Sequence, residues 1–168
     1  MTDVNGNTTF YDYNSLTEQL LQTKDALKRE TNYTYDANSR RTTMVYRHGV
    51  AAIDYGYENG RLATLDRKTF RSGATQHQIY SFGYNQWGQA TSTSVGNLVL
   101  STNDYAPRGG NLTQTTYANG VAVTYSYDLL DRLVEKSYHE TGKPDLTIRY
   151  TYNAESQLAR LRYEEDGE

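Results

Sequence analysis

The chain contains no cysteine and only two prolines among its 168 residues. The lack of cysteine excludes disulfides, thiolate metal ligands and cysteine nucleophiles. Long apolar runs are also missing, since no segment approaches the roughly 20 apolar residues that a membrane-spanning helix needs. Residues 1–6 have neither a basic start nor an apolar core, so we expect no signal peptide in this chain.

The chain has no basic stripe, and its net charge is −3 with a pI of about 5.6. Nucleic acid is therefore not an expected partner. His48, His77 and His139 fall in or next to predicted loops at irregular spacing, and neither a zinc spacing nor a phosphate loop occurs. We expect no catalytic residue, no cofactor and no metal, and we do not expect an enzyme.

Tyrosine is abundant, with 17 residues, although the mean hydropathy is only −0.83. A chain this polar could be disordered. Periodic tyrosines argue against disorder, because each aromatic ring can bury roughly 150–250 Å². We therefore expect a folded domain with modest stability.

The segment 112–138 gives the clearest pattern in the chain. Asn119-Gly120 lies between two runs rich in Thr, Val and Tyr and predicts a hairpin with a type I′ turn. Val123, Tyr125 and Tyr127 then alternate as strand residues do when they share one face. The predicted unit is a strand, a tight turn, a strand ending in Tyr-x-Tyr-Asp, a second turn and another strand.

Imperfect copies of this unit recur along the chain. The second tyrosine of the pair stands at positions 13, 35, 57, 84, 105, 127 and 152, a spacing that indicates a repeat architecture. The motif residues that we expect to have structural roles are Tyr11, Tyr13, Tyr33, Tyr35, Asp36, Arg40, Tyr55, Tyr57, Gly60, Arg61, Leu62, Phe82, Tyr84, Gly88, Tyr105, Tyr125, Tyr127, Asp128, Arg132, Leu133, Tyr150, Tyr152 and Leu158.

The pattern Tyr-x-Tyr-Asp-x-x-Gly-Arg-Leu resembles the YD repeat of the Rhs family, which includes bacterial Rhs and wall-associated proteins, insecticidal toxin-complex components and the animal teneurins. The resemblance implies hairpin arrays that coil into a hollow shell, and in bacterial members a shell that encloses a C-terminal toxin. It also implies a secreted or cell-surface location, as part of a larger bacterial protein. The prolines, Pro107 and Pro144, do not lie in the core-closing segment of such members.

The predicted fold is all-β, with repeated antiparallel hairpins that form a curved, spiralling, continuous sheet. We expect one array of about seven degenerate repeats over residues 1–168, with loose termini at 1–9 and 164–168. The remaining repeats and a toxin cargo of the larger polypeptide are the expected partners. Raw sheet edges also make self-association an expectation.

Three local features leave alternatives open. Residues 16–30 suit an amphipathic helix, but the repeat phase favours a hairpin there. The polar segment 66–78 is expected to be an extended hairpin tip or a mobile loop. Leu133 and Tyr138 are an odd number of residues apart, so they lie on opposite faces unless a bulge intervenes.

Two functions compete at the level of sequence. The first is a non-catalytic structural segment of a shell around a polypeptide cargo. The second is a carbohydrate-binding or adhesion module, with Trp87 as a sugar platform. Arg40, Arg61 and Arg132 could bind an anion or a sugar, or else stack on a neighbouring tyrosine or pair with a turn carboxylate.

Overall fold

The computed structural model describes residues 1–4, 6–71, 73–107 and 110–165. Fourteen β-strands and one short 3₁₀ helix (Arg47–Gly49) make up its regular structure, so the all-β prediction is confirmed. None of the helical structure among these residues is long and apolar enough to cross a membrane.

The strands follow one another in the order of the chain. Those that begin before residue 83 are β1 (Phe10–Tyr13), β2 (Leu20–Lys24), β3 (Glu30–Tyr35), β4 (Arg41–Tyr46), β5 (Ala51–Glu58), β6 (Arg61–Arg71) and β7 (Ala74–Tyr84). Those that follow are β8 (Ala90–Val95), β9 (Leu98–Tyr105), β10 (Leu112–Tyr117), β11 (Ala122–Tyr127), β12 (Leu133–His139), β13 (Leu146–Tyr152) and β14 (Leu158–Glu165).

The chain divides into two compact units, Met1–Phe82 and Gly83–Glu168. Within the first unit, each strand from β1 to β7 pairs antiparallel with the next. Within the second unit, the same holds from β8 to β14. The predicted array of antiparallel hairpins is therefore present in both units.

Residues 16–30 form part of a hairpin, as the repeat phase predicts. Strands β2 and β3 pair from Gln22 opposite Asn32 to Lys24 opposite Glu30. The turn between them contains Lys28 at a positive φ of 59°. The leucines that suggested a helix share no face, because Leu20 lies in β2 whereas Leu16 and Leu27 lie in exposed turns.

The polar segment 66–78 is the extended hairpin tip that the spacing allowed. Strands β6 and β7 pair out to Arg71 opposite Ala74.

The loose termini predicted at residues 1–9 and 164–168 stay a prediction. At the start of the chain, Thr2 and Thr8 form an isolated bridge. At the end, β14 already includes residues 164 and 165, and residues 166–168 lie outside the described residues.

The type I′ turn predicted at Asn119-Gly120 is wrong. Only Gly120 has a positive φ, and its N–H donates to the Tyr117 carbonyl oxygen at 2.9 Å. This is a type I turn followed by a left-handed glycine, the usual three-residue hairpin loop. The type I′ turn occurs instead at Asn59-Gly60, where both residues have positive φ.

A β-bulge directly follows the residue that lies opposite the second tyrosine of a repeat. Between β11 and β12, Tyr127 faces Leu133 whereas Ser126 faces Glu135, so Val134 is the extra residue. The same shift occurs at the pairs Tyr13–Leu20, Tyr35–Arg41, Tyr57–Leu62, Tyr105–Leu112 and Tyr152–Leu158. The bulge places Leu133 and Tyr138 on one face and resolves the alternative left open above.

Few residues are fully buried in either unit. Ala52 and Val123 are the buried apolar residues, and Thr115 and Ser137 are buried polar ones. Most strand residues are half-buried. Stability must therefore come mainly from contacts between side chains on adjacent strands and from the turns.

Candidate functional site

The turn after Tyr35 is built around one carboxylate. Asp36 Oδ1 accepts the backbone N–H groups of Asn38 and Arg40, each at 2.9 Å. Asp36 Oδ2 accepts the Arg40 Nε at 2.7 Å. Ser39 takes the left-handed conformation that this turn requires, with φ of 62°. One aspartate thus satisfies two backbone donors and one guanidinium.

The same turn recurs after Tyr127 and once at a place without a tyrosine pair. Asp128 accepts from Leu130, from the Arg132 backbone and from Arg132 Nε. Asp25 accepts from Leu27 and Arg29 in the same way. No Tyr-x-Tyr precedes Asp25, so the tyrosine pattern does not predict this turn, whereas the Asp-x-x-x-Arg spacing does.

Two further turns have an asparagine and a glutamine in place of the aspartate and the arginine. Asn85 Oδ1 accepts the Trp87 and Gln89 backbone N–H groups, and its amide donates to Gln89 Oε1 at 2.7 Å. Asn153 and Gln157 form the equivalent pair at 3.1 Å. Aspartate thus stands with arginine and asparagine with glutamine, because each pair matches donor to acceptor.

The turn hydrogen bonds lower the pKa of the aspartates. For Asp36 the Arg40 backbone N–H is the largest cause, followed by the Arg40 side chain. For Asp128 the Arg132 side chain is the largest cause, followed by its backbone N–H. The carboxylates are therefore ionised whenever the turns are formed at neutral pH.

The second tyrosine of a repeat fastens the open end of its hairpin. Its hydroxyl donates to the carbonyl oxygen of the first residue of the preceding strand. The four such bonds, 2.7–2.9 Å long, run from Tyr35 to Leu20, Tyr57 to Arg41, Tyr105 to Ala90 and Tyr152 to Leu133. Each of these four hairpins is thus closed by a turn at one end and by a tyrosine at the other.

The arginine of a turn covers the tyrosine of the following repeat. The Arg40 guanidinium carbon lies 4.5 Å from the centroid of the Tyr57 ring. Arg132 lies 4.7 Å from that of Tyr152, and donates to the Ser156 hydroxyl at 3.0 Å. Arg40 and Arg132 thus each stack on a tyrosine ring and pair with a turn carboxylate at the same time.

Three copies of the motif depart from this geometry. The copy at Tyr55–Leu62 has a two-residue turn, and there Arg61 faces Glu58. Asn14 heads a turn that is one residue longer, closed by the Glu18 N–H on the Asn14 carbonyl. In the copy after Tyr105, residues 108 and 109 lie outside the described residues. Phe82 and Tyr84 lie at the end of β7, and Gly88 has a positive φ of 86°.

Trp87 projects from the Asn85 turn and keeps 69% of its surface exposed. It lines an open cavity of about 400 Å³ with Gln89, Ala106, Pro107 and Gly110. Gln89 Nε2 donates to the Gly110 carbonyl oxygen at 2.5 Å, which joins two walls of this cavity. A flat ligand could stack on the indole there.

His77 lies in β7, and His139 is the last residue of β12, next to a loop as expected. His77 Nδ1 lies 2.7 Å from Asp66 Oδ2. His139 Nδ1 lies 2.6 Å from Asp145 Oδ2, and its Nε2 is 3.1 Å from the Thr124 hydroxyl. Hydroxyl, imidazole and carboxylate thus follow the order of a hydrolase triad. The His48 side chain lies outside the described residues.

Comparison with protein families identifies one segment directly. The RHS Repeat family model matches residues 108–143. These residues are an Rhs repeat. The predicted resemblance to the Rhs, or YD-repeat, family is thereby confirmed. The Rhs repeat contains β10, β11 and β12 and includes the Asp128 turn with its arginine.

Solved structures similar to this chain include two much longer chains. The TcdB2-TccC3-TEV crystal structure has a TM-score of 0.49 and 19% identity, over 98% of this chain and 8% of that one. The Tc holotoxin pore of Photorhabdus luminescens has a TM-score of 0.48 and 17% identity, over the same shares. This chain therefore spans less than a tenth of the length of those chains. No curated protein sequence matches this chain.

Proposed function

We propose that the Rhs repeats of this chain are a non-catalytic wall segment of a shell that encloses a polypeptide cargo. The observation behind this proposal is the tyrosine bond that recurs in four hairpins, from Tyr35 on Leu20 to Tyr152 on Leu133. A contact that repeats along an array suits a mechanical role, whereas a catalytic site would need a unique arrangement.

The mechanism of such a wall is steric. Cross-strand bonds hold each hairpin against its neighbour, so an enclosed polypeptide is kept from proteases and from partners outside. The partners in this proposal are further repeats and a toxin cargo in the same larger bacterial protein. In this proposal, that protein is secreted or displayed at the cell surface.

Protease protection tests the proposal in the protein that contains this chain together with its flanking coding sequence. The flanking sequence should encode further Tyr-x-Tyr-Asp turns and one domain without them. In the intact protein, that domain should resist a protease that digests it rapidly once it is produced alone. Equal digestion rates in the two contexts would contradict enclosure.

Matched variants connect protection to the array. Replacing Tyr57 and Tyr152 by alanine removes two closing bonds and should accelerate digestion of the cargo. Tyr11→Ala is the control, because Tyr11 lies on the exposed strand β1. If the Tyr11 substitution accelerated digestion of the cargo as much as the Tyr57 and Tyr152 substitutions, protection would not depend on the closing bonds.

The alternative function is carbohydrate binding at Trp87. Its exposed indole and the cavity beside Pro107 favour this second candidate. Glycan-array binding that is lost in Trp87→Ala and kept in Trp87→Phe would support it. A chain that binds no glycan above the level of Trp87→Ala would exclude it.

A hydrolase screen tests the non-catalytic part of the proposal. The Thr124, His139 and Asp145 side chains would be the residues at stake, although His139 and Asp145 keep 39% and 35% of their side-chain surface exposed. We expect no turnover. Hydrolysis that disappears in His139→Gln would overturn the non-catalytic assignment.

A further inference from the structure

The strand registers divide the side chains of each unit between two faces. Directly opposed residues of antiparallel strands share a face. In the first unit, one face contains the paired tyrosines and the residues opposite them. We call it the tyrosine face; its strand residues include Tyr33, Tyr35, Arg41, Met44, Tyr46, Ala51, Ile53, Tyr55, Tyr57, Leu62, Leu65, Arg67 and Tyr80.

The ion pairs between strands of the first unit lie on the opposite, polar face. Asp54, Asp66 and Lys68 are there, since Asp54 faces Asp66 and Lys68 faces Ala52. The Lys68 ammonium pairs with Asp54, and Lys24 pairs with Glu30 at 2.7 Å. Carboxylates of this face are therefore largely neutralised by cations on the same face.

The tyrosine face of the first unit has cations without carboxylates among its described strand residues. Arg41 lies with its guanidinium carbon 4.7 Å from the Tyr33 ring centroid. Burial opposes the charged form of Arg41, but hydrogen bonds to Tyr55 and Tyr35 prevail and raise its pKa. Arg67 faces Ile53 across the strand pair. The Arg41 charge is balanced by a ring face and by hydroxyls rather than by an anion.

An apolar cavity opens beside Arg67. Its volume is about 210 Å³, enough for one aliphatic side chain, and Arg67 is its charged residue. Its lining comprises Met44, Tyr46, Ala51, Ala52, Ile53 and Arg67. The site therefore combines an apolar floor with a guanidinium.

The second unit has the same division. Lys136 lies on the face of Tyr125 and Tyr138, with its ammonium nitrogen 4.7 Å from the Tyr138 ring centroid. A hydrogen bond to Tyr138 raises the Lys136 pKa. Arg149, on the opposite face, instead pairs with Glu135 and Glu164. Among the described strand residues on the Lys136 face, the carboxylate is that of Glu165 at the end of β14.

We propose that the tyrosine face binds an acidic, extended polypeptide segment. An aliphatic side chain of that segment occupies the cavity beside Met44 and Ile53, and a neighbouring carboxylate pairs with Arg67. Identifying this segment as part of the enclosed cargo rests on the proposed function, whereas the binding chemistry of the face does not.

The charge distribution favours an acidic peptide over other partners. A basic peptide would meet arginines on this face and find its carboxylate partners on the opposite one. Nucleic acid binding usually draws on several phosphate contacts, and this chain has a net charge of −3. A guanidinium beside an apolar cavity instead matches one carboxylate next to one aliphatic side chain.

Fluorescence anisotropy with short labelled peptides tests the inference on the full chain. A peptide that alternates Glu with Leu should bind, and one that alternates Lys with Leu should bind at least about tenfold more weakly. Arg67→Gln should weaken binding of the acidic peptide about tenfold, the usual effect of one charge-assisted contact. Arg67→Lys should restore part of it.

Lys68→Gln is the matched control, because Lys68 is the next residue and lies on the other face. It should leave peptide affinity unchanged while removing the pair with Asp54. Circular dichroism checks that every variant keeps the β fold. Equal effects of Arg67→Gln and Lys68→Gln, or tighter binding of an oligonucleotide than of the acidic peptide, would overturn the inference and leave the protease-protection test unaffected.

Discussion

The Tyr57 hydroxyl donates a hydrogen bond of 2.9 Å to the carbonyl oxygen of Arg41, the residue that follows the arginine stacked on its ring. Tyrosine, turn and preceding strand are thus joined at one point. Arg40 belongs to the Asp36 turn, so the turn of one repeat also fixes the tyrosine of the next.

Tyr57→Phe should reduce the free energy of unfolding by about 1 kcal/mol, the typical net contribution of one hydrogen bond. The ring and its contact with Arg40 remain, so the loss reports on the hydroxyl alone. Urea titration monitored by circular dichroism measures it. Tyr11→Phe, on the exposed strand β1, should change stability much less. Equal losses in the two variants would argue against a closing role for the hydroxyl.

The Asp–Arg and Asn–Gln turns predict that the two pairs are exchangeable as pairs. Asp36→Asn should destabilise the chain because its amide N–H groups meet the Arg40 donors, and Arg40→Gln because Asp36 loses a charge-assisted hydrogen bond. The double variant reproduces the pairing of Asn85 with Gln89 and should recover much of the loss. A double-mutant cycle on the unfolding free energy measures this coupling, and strict additivity would contradict it.

Acid should weaken the fold through the aspartate turns. Because folding lowers the pKa of Asp25, Asp36 and Asp128, their contribution is complete above the unfolded-state pKa of about 3.9. It declines as the pH falls through and below that value, since the unfolded chain then binds protons first. Urea midpoints between neutral and acidic pH measure this loss. The Asp36→Asn, Arg40→Gln double variant should lose less stability in acid than the original chain.

The hairpins of the fold can be predicted from the sequence, but the register in which the strands pair cannot. Tyrosine spacing and turn residues predicted the hairpins, because turn chemistry is local and the spacing repeats. The bulge at Val134 could not be read from alternation, since an extra residue reverses the face of everything beyond it. Arg67 and Lys68 lie on opposite faces, and only Lys68 has a carboxylate partner on its face; this difference depends on that assignment of faces. The tyrosine spacing does not predict the Asp25 turn, because no tyrosine pair precedes it.

The dipeptide Asn-Gly occurs in two hairpins with different turns, and this difference is measurable. Asn59 has a positive φ of 48° in a type I′ turn, whereas Asn119 lies in the right-handed part of a type I turn. Alanine in the left-handed region costs about 1–2 kcal/mol, so Asn59→Ala should be clearly destabilising.

Asn119→Ala should cost less, because only the exposed hydrogen bond from the Val121 N–H to its side chain is lost. Glycine provides the complementary variant at each position: Asn59→Gly should nearly restore stability, since glycine adopts positive φ without strain. Thermal unfolding of the four variants compares them under one condition. If Asn119→Ala were as damaging as Asn59→Ala, both turns would have to be type I′, and the hydrogen bond from Gly120 to Tyr117 would be wrong.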